Sequence, residues 1–293
     1  MTDVLVSYSL VALYSAMAVY TLAFVTFTFD LARRTADSPV ASTKTGPRYL
    51  RAAMALTVIA WALHVAAAVL RGFAANRVPW ANMFEFTLTA TAVIVGVFLG
   101  IQFWQDVRFL GAFITGFVLI ALGVATVNFY VDVIPLPPAL QSAWLVIHVF
   151  VASLGTGFFA IGAGLSVMQL LQARRAAGRA TRLKFLDTLP DADKLEAMAF
   201  RIIVVGFVLW TFTLIAGAIW ASRAWGRYWG WDTKEVWTFI IWTIYAGYIH
   251  ARATRGWRGA RSAWLAIIGF SAVIFNFTIV NLFFKGLHAY SGL

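Results

Sequence analysis

Hydrophobic residues along the chain gather in eight long, nearly unbroken blocks, separated by short polar intervals. A helix needs about 20 apolar residues to cross a hydrocarbon core ~30 Å thick. The pattern therefore predicts membrane-crossing helices at about 5–29, 50–70, 86–104, 109–127, 143–171, 201–222, 236–251 and 263–284. Helices are expected because lipid offers no partner to an unpaired backbone N–H or C=O. The fifth block is longer than a crossing requires, which predicts tilt or an extension past the membrane. The first block is too long for a signal-peptide core and lacks a basic start, so it reads as a true span. The fold class expected is all-α: a polytopic membrane helical bundle of about eight transmembrane helices, forming one integral membrane domain over residues 1–293.

The polar intervals orient this bundle. The segments 30–51, 172–201 and 251–262, with Arg108, hold 17 of the 23 Lys and Arg residues. The other side holds six: Arg71, Arg77, Arg223, Arg227, Lys234 and Lys285. The positive-inside rule makes the first side cytoplasmic and places both termini outside. A bacterial plasma membrane is the expected location. The interval 172–200 is the sizeable cytoplasmic loop, and its charged, helix-friendly composition reads as a surface helix or hairpin. The outer intervals are rich in aromatics, Pro and Asn, and are expected to fold back on the membrane surface and hold a ligand.

Composition sharpens the picture in two ways. Hydrophobic residues make up 61% of the 293 and charged residues only 12%, far from soluble proportions. The net charge of +11 does not point to nucleic acid, because the basic residues sit in short inter-span loops. The chain has no cysteine, so any thiol chemistry belongs to a partner.

Four histidines are distributed by this topology. His148 falls near the outer end of the fifth predicted span and His288 just past the outer end of the eighth. His250 falls near the inner end of the seventh and His64 midway along the second. Neutral imidazole is a common axial ligand of haem iron. A lone membrane histidine can equally serve as a hydrogen-bonding residue between helices. His64 is read in that second role, and His250 stands between the two. His148 and His288 share one depth with a tryptophan-rich loop, which favours ligation.

That loop, WGRYWGWDTKEVW at 225–237, places Trp225, Trp229, Trp231 and Trp237 within thirteen residues. An interfacial aromatic belt would scatter them over many helix ends. Concentrated here, with Gly226 and Gly230 permitting tight turns, they form an apolar shelf suited to a flat aromatic ligand. Asp232 is placed to orient the loop or cap the following helix. Arg223, Arg227 and Lys234 are candidates to pair with ligand carboxylates, or interface anchors.

WGRYWGWDTKE resembles the tryptophan-rich signature of the haem-handling proteins, most closely the CcsA/ResC branch of cytochrome c biogenesis, some of whose actinobacterial members carry the label CcsB. PWANMFEF at 79–86, WLVIHV at 144–149 and GLHAY at 286–290 resemble further motifs of that family, so the likeness runs from about residue 79 onward. Thr233 departs from the family, where proline is frequent, and is expected to adjust the loop's shape. The resemblance implies a system II cytochrome c biogenesis protein. His148 and His288 would be axial ligands of an external haem b lying against Trp225, Trp229, Trp231, Asp232 and Trp237. His250 would help bind a second haem, sharing it with a ResB-like membrane subunit. About 18 residues of helix, or ~27 Å, separate Asp232 from His250, so one haem cannot touch both. The outer haem would be presented to the Cys-x-x-Cys-His segment of an apocytochrome c, making the chain the haem-handling part of a haem lyase complex. The rival readings are a b-type electron-transfer subunit oxidising quinol, which needs more intramembrane histidines, and a haem-free transporter, which needs mid-span charge.

Overall fold

The computed structural model describes residues 2–36, 46–133, 141–180, 183–284 and 286–288. Lys44, Arg182 and Lys285 of the charge count, and Ala289 and Tyr290 of the last motif, lie outside the described residues. The described chain is helical: α1 (Thr2–Ala36), α2 (Gly46–Ala75), α3 (Met83–Ile101), α4 (Gly111–Asn128), α5 (Ala143–Ala176), α6 (Ala192–Trp225), α7 (Thr233–Arg255), α8 (Ala260–Phe277) and the short α9 (Ile279–Phe283). Local chemistry sets the ends. Asn82 and Ser142 cap α3 and α5 by accepting the Glu85 and Trp144 amide protons through their side chains. Gly226 and Gly256 end α6 and α7 in the left-handed region, at φ 71° and 61°.

Seven of these helical stretches are long and apolar enough to cross a membrane. The protein is a multi-pass membrane protein. The exception is α7, whose 23 residues reach ~34 Å but carry Lys, Glu and Asp-capped turns at one end and Arg252 and Arg255 at the other. The long helices extend further than the hydrophobic blocks alone. α5 and α6 each run 34 residues and enter the polar interval, leaving a short 3₁₀ turn at Lys184–Thr188 between them. Gln172 Nε2 donates to the Leu186 carbonyl at 3.0 Å and Arg175 pairs with Asp187 at 2.6 Å, which folds that turn against α5. The last predicted span is not one helix. It breaks at Thr278, beside the Asn276 carbonyl that accepts a bond from Lys234 Nζ at 2.8 Å.

The bundle is assembled from antiparallel pairs. α1 packs along α2 and α5 along α6, while α3 and α8 close against α5 and α7 lies on α8. Small residues make the tight seams possible. A Cβ at Gly206 would come within 2.9 Å of the Phe159 ring across the α5–α6 seam, and one at Gly157 within 3.2 Å of Val97 on α3. Phe159 stacks on Tyr245 of α7, centroids 3.7 Å apart and planes at 5°. Trp210 Nε1 donates to the Thr238 carbonyl at 3.1 Å and Trp242 Nε1 to Thr211 Oγ1 at 3.0 Å, joining α6 to α7 twice. His64 is buried with Tyr20 Oη 3.3 Å from Nδ1 and Thr91 Oγ1 3.5 Å from Nε2, a cross-helix hydrogen-bonding role.

A buried carboxylate fastens each end. At the tryptophan-loop end Glu85, fully buried, bonds Arg71 at 3.1 Å and Arg77 at 2.5 Å, and its Oε2 accepts the Ala81 N–H at 3.0 Å. Arg71 also donates to the Val131 carbonyl at 2.6 Å and lies over the Phe84 and Tyr130 rings. At the basic end Glu196 accepts from Arg252, from Gln169 Nε2 at 3.2 Å and from the Gly259 N–H at 2.7 Å, tying α5, α6 and α7 to the start of α8. Removing one partner of such a group strands buried charge. Glu85→Ala is expected to destabilise the fold by about 3–5 kcal/mol. The check is the thermal-unfolding midpoint in detergent, which should fall clearly below wild type.

Candidate functional site

Helices α3, α5, α6, α7 and α8 surround one cavity whose wall is mostly apolar, with Trp80, Phe86, Trp229, Phe270 and Phe277 among its lining. Both His148 and His288 line it. His148 is on the second turn of α5, and its Nδ1 lies 3.0 Å from the Thr213 carbonyl of α6. A carbonyl can only accept, so Nδ1 carries the proton and Nε2 keeps its lone pair. Gly217 makes this approach possible, since a Cβ there would lie 2.7 Å from His148 Cε1.

His288 arrives from the other direction, on the segment after α9. Its Nδ1 lies 2.5 Å from Asp232 Oδ2. The bond from His288 holds the Asp232 carboxyl below the ordinary carboxylate range, against the opposing effect of burial. Here too Nδ1 is spoken for and Nε2 is left for a ligand. Fixing one imidazole nitrogen with a carbonyl or carboxylate is how ligating histidines are oriented and made more basic. Gly286 lies so close to Asp232 that a side chain there would overlap the carboxylate.

Trp220 joins the two histidines. Its ring is buried, lies near-parallel to His148 at 6.0 Å between centroids, and meets His288 edge-on at 5.4 Å. Trp225 closes on Trp220 at 4.7 Å and on His288 at 4.8 Å. The spacing of tryptophans in the loop does not signal Trp220, which lies five residues before it, inside α6. A further helical turn counted back from Trp225 would have suggested it. Thr213, which contributes a backbone oxygen, left no signal in its side-chain type.

The loop residues divide. Trp229 lines the cavity and meets Trp231 at 5.8 Å. Trp231 is 75% exposed, with φ 59°, so it projects away from the wall. Trp237 packs on Phe275 of α8 at 4.4 Å and does not line the cavity. Asp232 stands at the start of α7 and serves two neighbours: its carboxylate holds His288, while its N–H donates to Glu235 Oε2 at 3.0 Å. Of the three basic candidates, Lys234 alone lines the cavity, while Arg223 lies over the Trp144 ring at 5.7 Å and Arg227 packs against Gly230. His250 is exposed on the outward face of α7, toward the basic end and apart from the cavity.

Chemically, the arrangement suits a ligand that brings its own equatorial donors. Among the described residues no group of three or more His, Asp or Glu could hold a bare metal ion. Two oriented imidazoles on an indole-lined apolar cavity suit a metalloporphyrin, whose iron needs only axial donors.

The model of the family described as Cytochrome C assembly protein matches residues 80–288, a range that holds the cavity's histidines, tryptophan loop and Asn82. The chain belongs to this family. Among relatives, it is 31% identical over 252 residues to the cytochrome c biogenesis protein CcsA of Trieres chinensis, covering 76% of this chain and 81% of that one. It is 42% identical over 173 residues to the CcsA of Prochlorococcus marinus strain MIT 9312, covering 53% and 56%. A solved structure titled Cytochrome c Heme Lyase CcmF shares the fold, with TM-score 0.68 over 93% of this chain and 46% of that longer one, at 16% identity. As a member of the cytochrome c assembly family, the chain is a membrane protein of cytochrome c biogenesis. The family match covers His148, the loop and His288 together, which is the part of the chain the cavity is built from.

The close approach at Gly217 gives a direct test of the His148 geometry. Gly217→Ala is expected to push the imidazole off the Thr213 carbonyl and cost roughly 1–3 kcal/mol. A lowered unfolding midpoint in detergent supports the contact, and an unchanged midpoint would show that the ring has room to retreat.

Proposed function

We propose that this protein binds haem b at the extracytoplasmic face between His148 and His288 and presents it for attachment to apocytochrome c. One observation carries the reading. Each of the two cavity-lining imidazoles has its Nδ1 held by a fixed acceptor, which leaves two Nε2 donors for one iron. Family membership and the names of the relatives support the same conclusion.

In this role Thr213 and Asp232 orient the two ligands. Trp220 and Trp225 fix their separation, and Trp229 and Phe86 give the macrocycle an apolar wall. The Asp232 carboxylate would make His288 the more basic of the two ligands. Bound haem would supply the vinyl groups to which a partner's cysteine thiols add. The chain holds no cysteine of its own, which suits a protein that presents haem to a partner's thiols. The distribution of basic residues orients the tryptophan loop and both termini outward.

His250 belongs to a second station. An imidazole exposed on the membrane face of a helix is costly without a partner, and a ResB-like subunit would supply the other ligand there. Haem would pass from this station to the outer one. The quinol-oxidising reading loses its internal ligands, because both nitrogens of His64 are engaged by Tyr20 and Thr91.

The test is the absorption spectrum of the purified protein. The wild type is expected to show a six-coordinate bis-histidine haem. His148→Ala and His288→Ala should each lose that signature, retain less haem and lower the yield of cytochrome c in cells. Asp232→Asn should weaken haem affinity by about tenfold or more while keeping both imidazoles. Undiminished haem with an unchanged spectrum in both histidine variants would refute the proposal.

A further inference from the structure

The haem proposal leaves one wall of the cavity unexplained. Lys234, on the first turn of α7, places its ammonium among groups lining the cavity. Its hydrogen bonds go to the Asn276 carbonyl at 2.8 Å and to Asn281 Oδ1 at 2.7 Å, both neutral oxygens. The two nearby carboxylates are already engaged. Asp232 Oδ2 is taken by His288, and Glu235 Oε2 accepts the Gly230 and Asp232 N–H groups at 2.8 and 3.0 Å. Glu235 Oε1 is buried with no hydrogen-bond partner among the described residues. A cation inside an apolar enclosure is costly when only neutral oxygens solvate it, and an anionic ligand relieves that cost.

A second donor shares the wall. Asn82 is 4% exposed and lines the cavity. Its Oδ1 caps α3 by accepting the Glu85 N–H at 2.9 Å, which fixes the amide's orientation. The remaining Nδ2 is buried and has no partner among the described residues. A buried amide donor left unmatched costs stability and is expected to find a partner when the site fills. Asn281 ties the two together: it accepts from Lys234, and its Nδ2 lies 3.3 Å from the sulfur of Met83, the residue next to Asn82. The N-terminus of α3, a 19-residue helix, adds its own preference for negative charge at this place.

We propose that Lys234 and Asn82 form a carboxylate subsite that takes one propionate of the porphyrin. This rests on the haem reading and deepens it. Lys234 supplies the charge and Asn82 Nδ2 a directed hydrogen bond. The subsite gives the macrocycle a polar end and an apolar end within one cavity. It therefore selects which edge of the ring is buried and leaves the opposite edge, with its vinyl groups, for the partner. It also gives PWANMFEF a task beyond capping α3, since Asn82 uses one side-chain atom for the helix and the other for the ligand.

The experiment compares two porphyrins on the full chain in detergent, with binding followed by the Soret band. One is iron protoporphyrin IX and the other its dimethyl ester, which keeps the iron and the ring but removes both negative charges. The wild type is expected to bind the free acid about tenfold or more tighter than the ester. Lys234→Met should erase that preference by weakening the free acid alone. Asn82→Asp keeps the helix-capping oxygen, and so the fold, but replaces the donor with a repelling oxygen; it should likewise weaken the free acid and spare the ester. Equal wild-type affinity for both porphyrins overturns the subsite while leaving the haem site standing. So does an equal loss for both porphyrins in the two variants. If neither porphyrin gives a six-coordinate spectrum with the wild type, the haem reading itself fails and the subsite falls with it.

Discussion

The contact from His288 Nδ1 to Asp232 Oδ2 joins two segments that no stretch of regular helix would bring together. One is the tail that follows the broken last helix and the other is the turn that starts α7. Their meeting fixes which imidazole nitrogen of His288 is engaged and brings His288 against Trp220 and Trp225. The carboxylate acts at once as a helix-start residue and as the acceptor that orients a ligand. Such economy is expected where water is scarce, since each polar group then needs a fixed partner.

The same scarcity explains the rest of the bundle. Glu85 and Glu196, at opposite ends, are each surrounded by arginine and backbone donors, and each joins elements far apart in sequence. Indole N–H groups spend their bonds on facing carbonyls and hydroxyls, as with Trp210 on Thr238 and Trp61 on Ala92. Against this background of satisfied groups, the unsatisfied ones stand out. Asn82 Nδ2 and Glu235 Oε1 are buried on the cavity wall without partners among the described residues, and Lys234 has only neutral oxygens. Asn276 Oδ1, on the same wall, is likewise buried without a hydrogen-bond partner among the described residues. The broken end of α8 follows the same logic, because Lys234 and the Asn276 carbonyl complete one another there.

Much of this was legible from residue order. Blocks of apolar residues long enough to cross a bilayer specify helices directly, because the requirement is one of length and local hydrogen bonding. The depth shared by His148, His288 and the tryptophan loop has a structural counterpart, since both histidines and Trp229 line one cavity. Pattern alone left open features that depend on neighbours. α5 and α6 run on into the charged interval, as its helix-friendly composition suggested, and Gln172 and Arg175 fasten the connecting turn. The last span breaks at Thr278, within a run of aromatic, β-branched and Asn residues of modest helix propensity. The loop tryptophans are not equivalent: Trp229 faces the cavity, Trp231 faces out and Trp237 packs on α8.

Residue order by itself determined that this is a helical membrane protein with one end rich in tryptophan, because hydrophobic length and residue type are local properties. Tertiary structure alone decided how those parts become a site. It chose the Thr213 carbonyl, a group every residue possesses, as the partner of His148, and it set buried Trp220 against both imidazoles. It also brought Lys234 of α7 and Asn82, the cap of α3, 152 positions apart, to one wall. Such choices depend on which backbone and side-chain atoms the packed helices bring within about 3 Å of one another, and no one-dimensional pattern records that.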